Sequence, residues 1–122
     1  MPAIAIVEDD TTIAQMYSIK FENEGFQVAV AENGVLGLQL IEKMHPDVVL
    51  LDLMMPEMNG DQVLAKMRQT DWGKDIKVII LTNMGEQEAP ESIKSFNISA
   101  FIVKADMTPK QVAELVKQKL AT

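Results

Sequence analysis

The sequence lacks cysteine, long apolar runs and an excess of basic residues. With no cysteine among its 122 residues, it has no disulfide framework, thiolate zinc site or cysteine nucleophile. Its 11 basic and 18 acidic residues give a net charge of −7, which disfavours nucleic acid or an anionic membrane as a direct partner. Its apolar runs are far shorter than the ~18 residues of a membrane-spanning helix. Acidic residues 8–10 interrupt the early apolar stretch, so we expect no amino-terminal signal peptide. We expect a cytoplasmic protein.

Length and composition fit one ordinary globular domain. The chain is short for two domains. Apolar residues make up 48% and charged residues 24% of it, which excludes a disordered or low-complexity chain. We therefore expect residues 1–122 to form a single domain.

Short apolar runs alternate with segments of helical periodicity. Four runs predict parallel strands that are buried on both faces: Ala3–Val7, Val48–Leu51, Val78–Leu81 and Ala100–Val103. A fifth, residues 26–30, alternates apolar with small or polar residues, as a half-exposed edge strand does. Five helical segments lie between and after the strands, the weakest near residues 88–96. This alternation predicts an α/β fold with a parallel sheet and helices on both faces.

The residues that follow these strands are polar. Ligands of open parallel sheets bind at the carboxyl ends of the strands. These ends carry Glu8, Asp9 and Asp10 after the first strand, Asp52 after the third, Thr82 at the end of the fourth and Lys104 after the fifth. If the first and third strands are neighbours, the carboxylates of Glu8, Asp9 and Asp52 converge. Asp10 is expected to cap the first helix instead.

Converging carboxylates indicate a cation site. They repel one another unless a cation is bound, and oxygen ligands without histidine or cysteine favour Mg²⁺. The Thr82 hydroxyl and the Lys104 ammonium suit a phosphoryl group, whose oxygens require charge neutralisation. Asp52 is the candidate nucleophile for an aspartyl phosphate, because it stands alone at its strand end while Glu8 and Asp9 can share the metal.

Together these residues resemble the receiver domain of bacterial two-component response regulators. The resemblance covers essentially the whole chain and rests on four motifs in order: Ile4–Asp10, Leu51–Pro56 with Gly60, Thr82 and Lys104. It implies a flavodoxin-like, doubly wound fold with strand order 2-1-3-4-5 and five helices. The protein it implies is a signalling switch that catalyses only its own phosphorylation and dephosphorylation.

The resemblance also implies roles for the site residues. Asp52 would accept a phosphoryl group from a sensor histidine kinase or a phosphotransfer protein. Mg²⁺ would be held by Glu8, Asp9, Asp52 and the backbone carbonyl of Met54. Thr82 would move toward the phosphoryl group, and Lys104 would pair with it.

The same resemblance implies how the signal leaves the domain. Phe101 takes the position of an aromatic switch that follows Thr82, although a plain core role is the alternative. The output surface would be residues 84–120, which would contact a downstream protein. The domain would be a monomer or a weak, phosphorylation-dependent dimer.

The sequence departs from the family pattern at three places. Ala105 follows Lys104 where the family has a proline after a cis peptide bond, so this bond is either trans or strained. Asn83 follows Thr82 where the family has a smaller residue, and could either slow phosphorylation or supply an extra hydrogen bond. Met54 and Met84 place apolar bulk beside the site, which predicts slow hydrolysis of the aspartyl phosphate.

Two other functions compete with the phosphorylated switch. A haloacid-dehalogenase-type phosphohydrolase also uses an aspartate nucleophile and Mg²⁺, but its motif begins with aspartate where this chain has Glu8. A pseudo-receiver that only docks onto partners is the other alternative. Turnover of a small phosphate ester would indicate the first, and failure to bind Mg²⁺ the second.

Overall fold

The computed structural model describes residues 1–121, and its centre is one sheet of five parallel strands. The strand order is β2-β1-β3-β4-β5, which confirms the expected α/β fold. The strands are β1 Ala3–Val7, β2 Gln27–Ala31, β3 Val48–Leu51, β4 Lys77–Thr82 and β5 Ala100–Val103. The predicted edge strand is thus an edge strand, shifted by one residue from the predicted range.

Within residues 1–121, four α-helices and three short 3₁₀ turns connect and follow the strands. The helices are α1 Thr11–Asn23, α2 Gly34–Met44, α3 Gly60–Arg68 and α4 Pro109–Leu120. The fourth helical segment of the sequence forms two 3₁₀ turns, Glu86–Glu88 and Glu91–Phe96, instead of one α-helix. Pro90 lies between them, and its missing N–H and its ring prevent one continuous α-helix. The third turn, Lys104–Asp106, follows β5.

Helix starts follow the capping residues in the sequence. Asp10 caps α1, as expected, because its side chain accepts a 3.1 Å hydrogen bond from the Ile13 N–H. Asn33 caps α2 through a 2.8 Å hydrogen bond from the Leu36 N–H. At α4, Thr108 and Gln111 form a capping box. Each cap satisfies a backbone donor that has no partner inside the helix.

The core consists of two apolar layers, one on each face of the sheet. Alternate residues of a strand point to opposite faces, so Ile4 and Ile6 of β1 lie in the layer under α1 and α4. Ala5 and Val7 lie in the layer under α2 and α3. β1 and β3 are buried on both faces, with only Ala3 partly exposed. Within residues 1–121, no helix is both long enough and apolar enough to cross a bilayer.

Candidate functional site

The site begins where β1 and β3 leave the sheet side by side. Val7 of β1 and Leu51 of β3 are register partners, so the residues that follow them emerge together. The Asp52 N–H donates a 3.1 Å hydrogen bond to the Val7 carbonyl, and the Glu8 N–H donates a 3.0 Å bond to the Ala31 carbonyl. Backbone pairing therefore fixes Glu8 and Asp52, which are only 4% and 6% exposed.

Three carboxylates converge at this edge. Glu8, Asp9 and Asp52 each offer an oxygen atom, and these atoms all lie within 4.8 Å of one another. Glu8 and Asp52 are buried, whereas Asp9 is exposed. The structure thus brings together the three acidic residues that the sequence singled out.

Lys104 is the cation that faces these carboxylates. Its ammonium forms an ion pair with the Glu8 carboxylate and lies 3.2 Å from Asp52 Oδ2. Burial of the side chain lowers the pKa of Lys104, but its hydrogen bonds and Coulombic attraction to Glu8 and Asp52 outweigh burial. The pKa of Lys104 is therefore raised, and the lysine stays positively charged at neutral pH.

The pKa of Glu8 is raised even though Lys104 lies beside it. Burial raises the pKa of Glu8 to about 7, although hydrogen bonds from Lys104 and from the Asp10 N–H act to lower it. The negative charge of Asp52 raises it further. Additional positive charge at this cluster would favour the ionised form of Glu8.

The loop after β3 holds Asp52 in place. The Met54 N–H donates a 3.2 Å hydrogen bond to Asp52 Oδ1. The loop then returns to the strand end, where the Gly60 N–H donates a 3.0 Å bond to the Leu53 carbonyl. A Cβ atom at Gly60 would lie 2.2 Å from the Asp52 carbonyl oxygen. Glycine at this position therefore allows α3 to begin directly against the phosphoacceptor candidate.

A cavity of about 270 Å³ opens above Asp52. Its walls are formed by Glu8, Asp9, Asp10, Ile13, Asp52, Met54, Thr82, Asn83 and Lys104. Thr82 is fully buried, and its Oγ1 accepts a 3.3 Å hydrogen bond from the Met84 N–H. Ile13 is a wall residue that the sequence analysis missed, because a residue on one helical face looks like ordinary core in the sequence.

Phe101 and the Lys104–Ala105 peptide bond are two further positions for which the sequence made a prediction. Phe101 is half-buried on β5 and packs among apolar residues of the layer under α2 and α3; it is not part of the cavity wall. Among residues 1–121 every peptide bond is trans. The bond between Lys104 and Ala105 is therefore trans, and Lys104 reaches the carboxylates without the family's cis proline.

Comparisons with known proteins define the class. The family model described as the response regulator receiver domain matches residues 4–117. The chain therefore belongs to the response regulator receiver domain family, the signalling domain of two-component systems. A solved CheY-like receiver domain protein from Methanospirillum hungatei JF-1 superimposes with a TM-score of 0.88 at 29% identity, over 99% of this chain and 94% of that one.

Similar curated proteins include both long and short regulators. The DNA-binding dual master transcriptional regulator RpaA of Synechocystis is 35% identical over 100 residues, which are 82% of this chain and 41% of RpaA. The regulatory protein AtoC of Escherichia coli is 37% identical over 98 residues, 80% of this chain and 20% of AtoC. Sporulation initiation phosphotransferase F of Bacillus subtilis is 35% identical over 101 residues, 83% of this chain and 80% of that protein. The chain thus matches less than half the length of RpaA and AtoC.

Proposed function

We propose that Asp52 accepts a phosphoryl group from the phosphohistidine of a sensor kinase or phosphotransfer protein. The observation that carries this proposal is the environment of the Asp52 carboxylate. It is 6% exposed, lies 3.2 Å from the Lys104 ammonium, and shares a cavity with three further acids and the Thr82 hydroxyl. A buried carboxylate with these neighbours can serve as a nucleophile and can have its phosphorylated form stabilised.

The proposal includes a magnesium site. The residues fit this ion, because their donors are all oxygen atoms that lie within 4.8 Å of one another. Glu8, Asp9, Asp52 and the backbone carbonyl of Met54 would hold it, directly or through water. When bound, Mg²⁺ would neutralise charge on the carboxylates and on the incoming phosphoryl oxygens.

The reaction is a single transfer between two nucleophiles. A carboxylate oxygen of Asp52 forms a bond to phosphorus while the bond from phosphorus to the donor's imidazole nitrogen breaks, and the imidazole leaves. Lys104 holds the Asp52 carboxylate before transfer and pairs with a phosphoryl oxygen afterwards. The Thr82 hydroxyl donates to another phosphoryl oxygen once it has turned toward the cavity.

The proposal also covers the output. Movement of Thr82 would pull on the backbone of the segment after β4, and Phe101 would follow into the space released. Residues 84–120 would then present a changed surface to a downstream protein. Residues 1–122 would act as a single receiver domain, as a monomer or a weak, phosphorylation-dependent dimer.

Intact-mass measurement tests the phosphoacceptor. The wild-type protein is incubated with Mg²⁺ and a small acyl phosphate, alongside Asp52→Asn and a control, Asp71→Asn. Asp71 is an exposed aspartate in the loop between α3 and β4. We expect one added phosphoryl group in the wild type and in Asp71→Asn, and none in Asp52→Asn.

Two results would contradict the proposal. Equal phosphorylation of wild type and Asp52→Asn would mean that another residue is the acceptor. A wild-type protein that neither binds Mg²⁺ nor gains mass would be a docking module without phosphoryl chemistry. Steady release of phosphate from a small phosphate ester would instead indicate a hydrolase.

A further inference from the structure

Asn83 occupies the wall between two neighbouring cavities. One is the cavity of about 270 Å³ above Asp52; the other, about 350 Å³, lies between α1 and the segment that follows β5. Asn83 and Lys104 belong to both walls, together with Ile13. The Asn83 side chain is exposed, and its carboxamide makes no hydrogen bond to any residue within 1–121. The Asn83 carboxamide is therefore a polar group at the rim of the phosphoacceptor cavity, and its NH₂ group can donate hydrogen bonds to a ligand.

Few side-chain hydrogen-bond donors surround Asp52, compared with the acceptor oxygens that a phosphoryl group would bring. The Lys104 ammonium has three protons, and Glu8 and Asp52 already accept two of them. The Thr82 hydroxyl has one proton to donate. A phosphoryl group brings three strong acceptor oxygens and additional negative charge into a cavity already lined by four acidic residues. An uncharged amide at the rim can supply a further hydrogen bond to such a group.

We propose that the Asn83 carboxamide donates a hydrogen bond to the phosphoryl group on Asp52 and is a phosphoryl-binding residue of this receiver. The inference rests on the proposed function, since it concerns the product of that reaction. It favours the extra hydrogen bond over a steric block, because the exposed side chain leaves a cavity of about 270 Å³ open above Asp52. Several water molecules, each with a share of ~30 Å³ in the liquid, would fill a space of this order.

Three substitutions separate the hydrogen bond from the bulk of the side chain. Asn83→Leu keeps a similar size without a donor, and Asn83→Ala removes both size and donor. Asn83→Asp keeps the shape but replaces the donor with a charged acceptor. Gln87→Ala is the matched control, because Gln87 is an exposed amide in the 3₁₀ turn Glu86–Glu88 and lines neither cavity.

The measurement is the affinity for fluoroberyllate, a phosphoryl analogue that attaches to a carboxylate oxygen, in the presence of Mg²⁺. Calorimetric titration gives the dissociation constant, and thermal melting confirms that each variant is folded. We expect Asn83→Leu and Asn83→Ala to bind roughly ten- to a hundredfold more weakly than wild type, which is the effect of one lost hydrogen bond to a charged group. Asn83→Asp should bind more weakly still, and Gln87→Ala should match the wild type.

The outcomes distinguish this inference from the proposed function. Wild-type affinity in Asn83→Leu, or tighter binding by Asn83→Ala alone, would show that only the bulk of Asn83 matters and would overturn the inference. The proposed function would survive that result, because wild type would still bind fluoroberyllate. A wild type that binds no fluoroberyllate with Mg²⁺ would overturn both.

Discussion

At the scale of single residues, Glu8 links the fold to pH. Its carboxyl is buried, and its pKa is raised to about 7 from the ordinary value of 4.5. The folded protein therefore holds a proton on Glu8 between about pH 4.5 and pH 7 that the unfolded chain has released. The contribution of Glu8 to the stability of the folded protein is therefore largest below the unfolded pKa, and it is lost as the pH rises through the folded pKa.

Replacing Glu8 by glutamine should remove this dependence. In the absence of metal, we expect wild type to lose stability relative to Glu8→Gln between pH 5 and pH 8, by on the order of 1–3 kcal/mol. Urea unfolding of both proteins at several pH values in a chelating buffer measures the difference. Parallel stability curves for the two proteins would mean that Glu8 titrates as an ordinary surface acid.

The acidic site residues could be predicted from the sequence, but the ion pairs that they form with Lys104 could not. An acid directly after an apolar strand has a position that the strand determines, so Glu8 and Asp52 could be placed without coordinates. The ion pair between Lys104 and Glu8 depends on the path of the loop after β5. The trans bond to Ala105 belongs to that same loop, and the sequence left it open.

At the scale of elements, the start of α3 depends on a close backbone approach. A Cβ atom at Gly60 would lie 2.2 Å from the Asp52 carbonyl oxygen, whereas one at Gly85 would meet only the Glu88 side chain, at 3.7 Å. We expect Gly60→Ala to lose roughly 1–3 kcal/mol of stability, because backbone must shift, and Gly85→Ala to change it by less than about 1 kcal/mol. Denaturant unfolding of both variants gives the comparison, and equal effects would contradict the proposed clash.

A second element depends on Arg68 at the end of α3. Its guanidinium donates 2.8 Å hydrogen bonds to the carbonyls of Gly73, Ile76 and Phe96. It thus ties the α3–β4 loop to the end of the 3₁₀ segment Glu91–Phe96, in which only Ile93 is buried. Burial lowers the pKa of Arg68, because it removes water from around the charged guanidinium.

Replacing Arg68 by methionine should loosen this segment. The substitution leaves three carbonyls without their donor, and we expect a loss of about 2–4 kcal/mol. Hydrogen exchange should also become faster in residues 91–97. Lys66→Met is the control, since Lys66 is exposed on the same helix. Unchanged exchange in Arg68→Met would show that the 3₁₀ segment is held by its apolar contacts alone.

The elements differ in how well their sequence predicted them. Strands β1 and β3 were placed to the residue, because continuous branched apolar runs leave few alternatives. The segment from residue 86 to residue 96 was not, since its helical spacing competes with Pro90 and the sequence does not show which prevails. The caps of α1, α2 and α4 are local, so these starts could be recognised from the sequence.

At the scale of the whole molecule, the stability of the metal-free fold and the affinity for a metal ion should oppose each other. The strand order that joins β1 to β3 came from the family resemblance, because strand patterns alone do not distinguish one order of a parallel sheet from another. That order places like charges together. The fold therefore tolerates a repulsive cluster at its functional edge and should gain stability when a cation is supplied.

Asp9→Asn tests this opposition. Asp9 is exposed and lies with Glu8 and Asp52, so neutralising it should raise the melting temperature of the metal-free protein by roughly 1–5 °C. It should also weaken Mg²⁺ binding by about tenfold or more. Thermal melting with and without Mg²⁺ measures both effects, with Asp71→Asn as the control. Identical melting of wild type with and without Mg²⁺ would contradict a converged metal site.

The dependence of phosphorylation on Mg²⁺ is the sharpest test of metal-assisted phosphorylation at Asp52. Wild-type protein is mixed with a small acyl phosphate across a series of Mg²⁺ concentrations, and the phosphorylated fraction is followed by intact mass. If Asp52 reacts at a site that holds Mg²⁺, we expect almost no reaction in a chelating buffer and a rate that saturates as one Mg²⁺ binds per chain. Phosphorylation of Asp52 at the same rate in the chelating buffer would contradict metal-assisted phosphorylation.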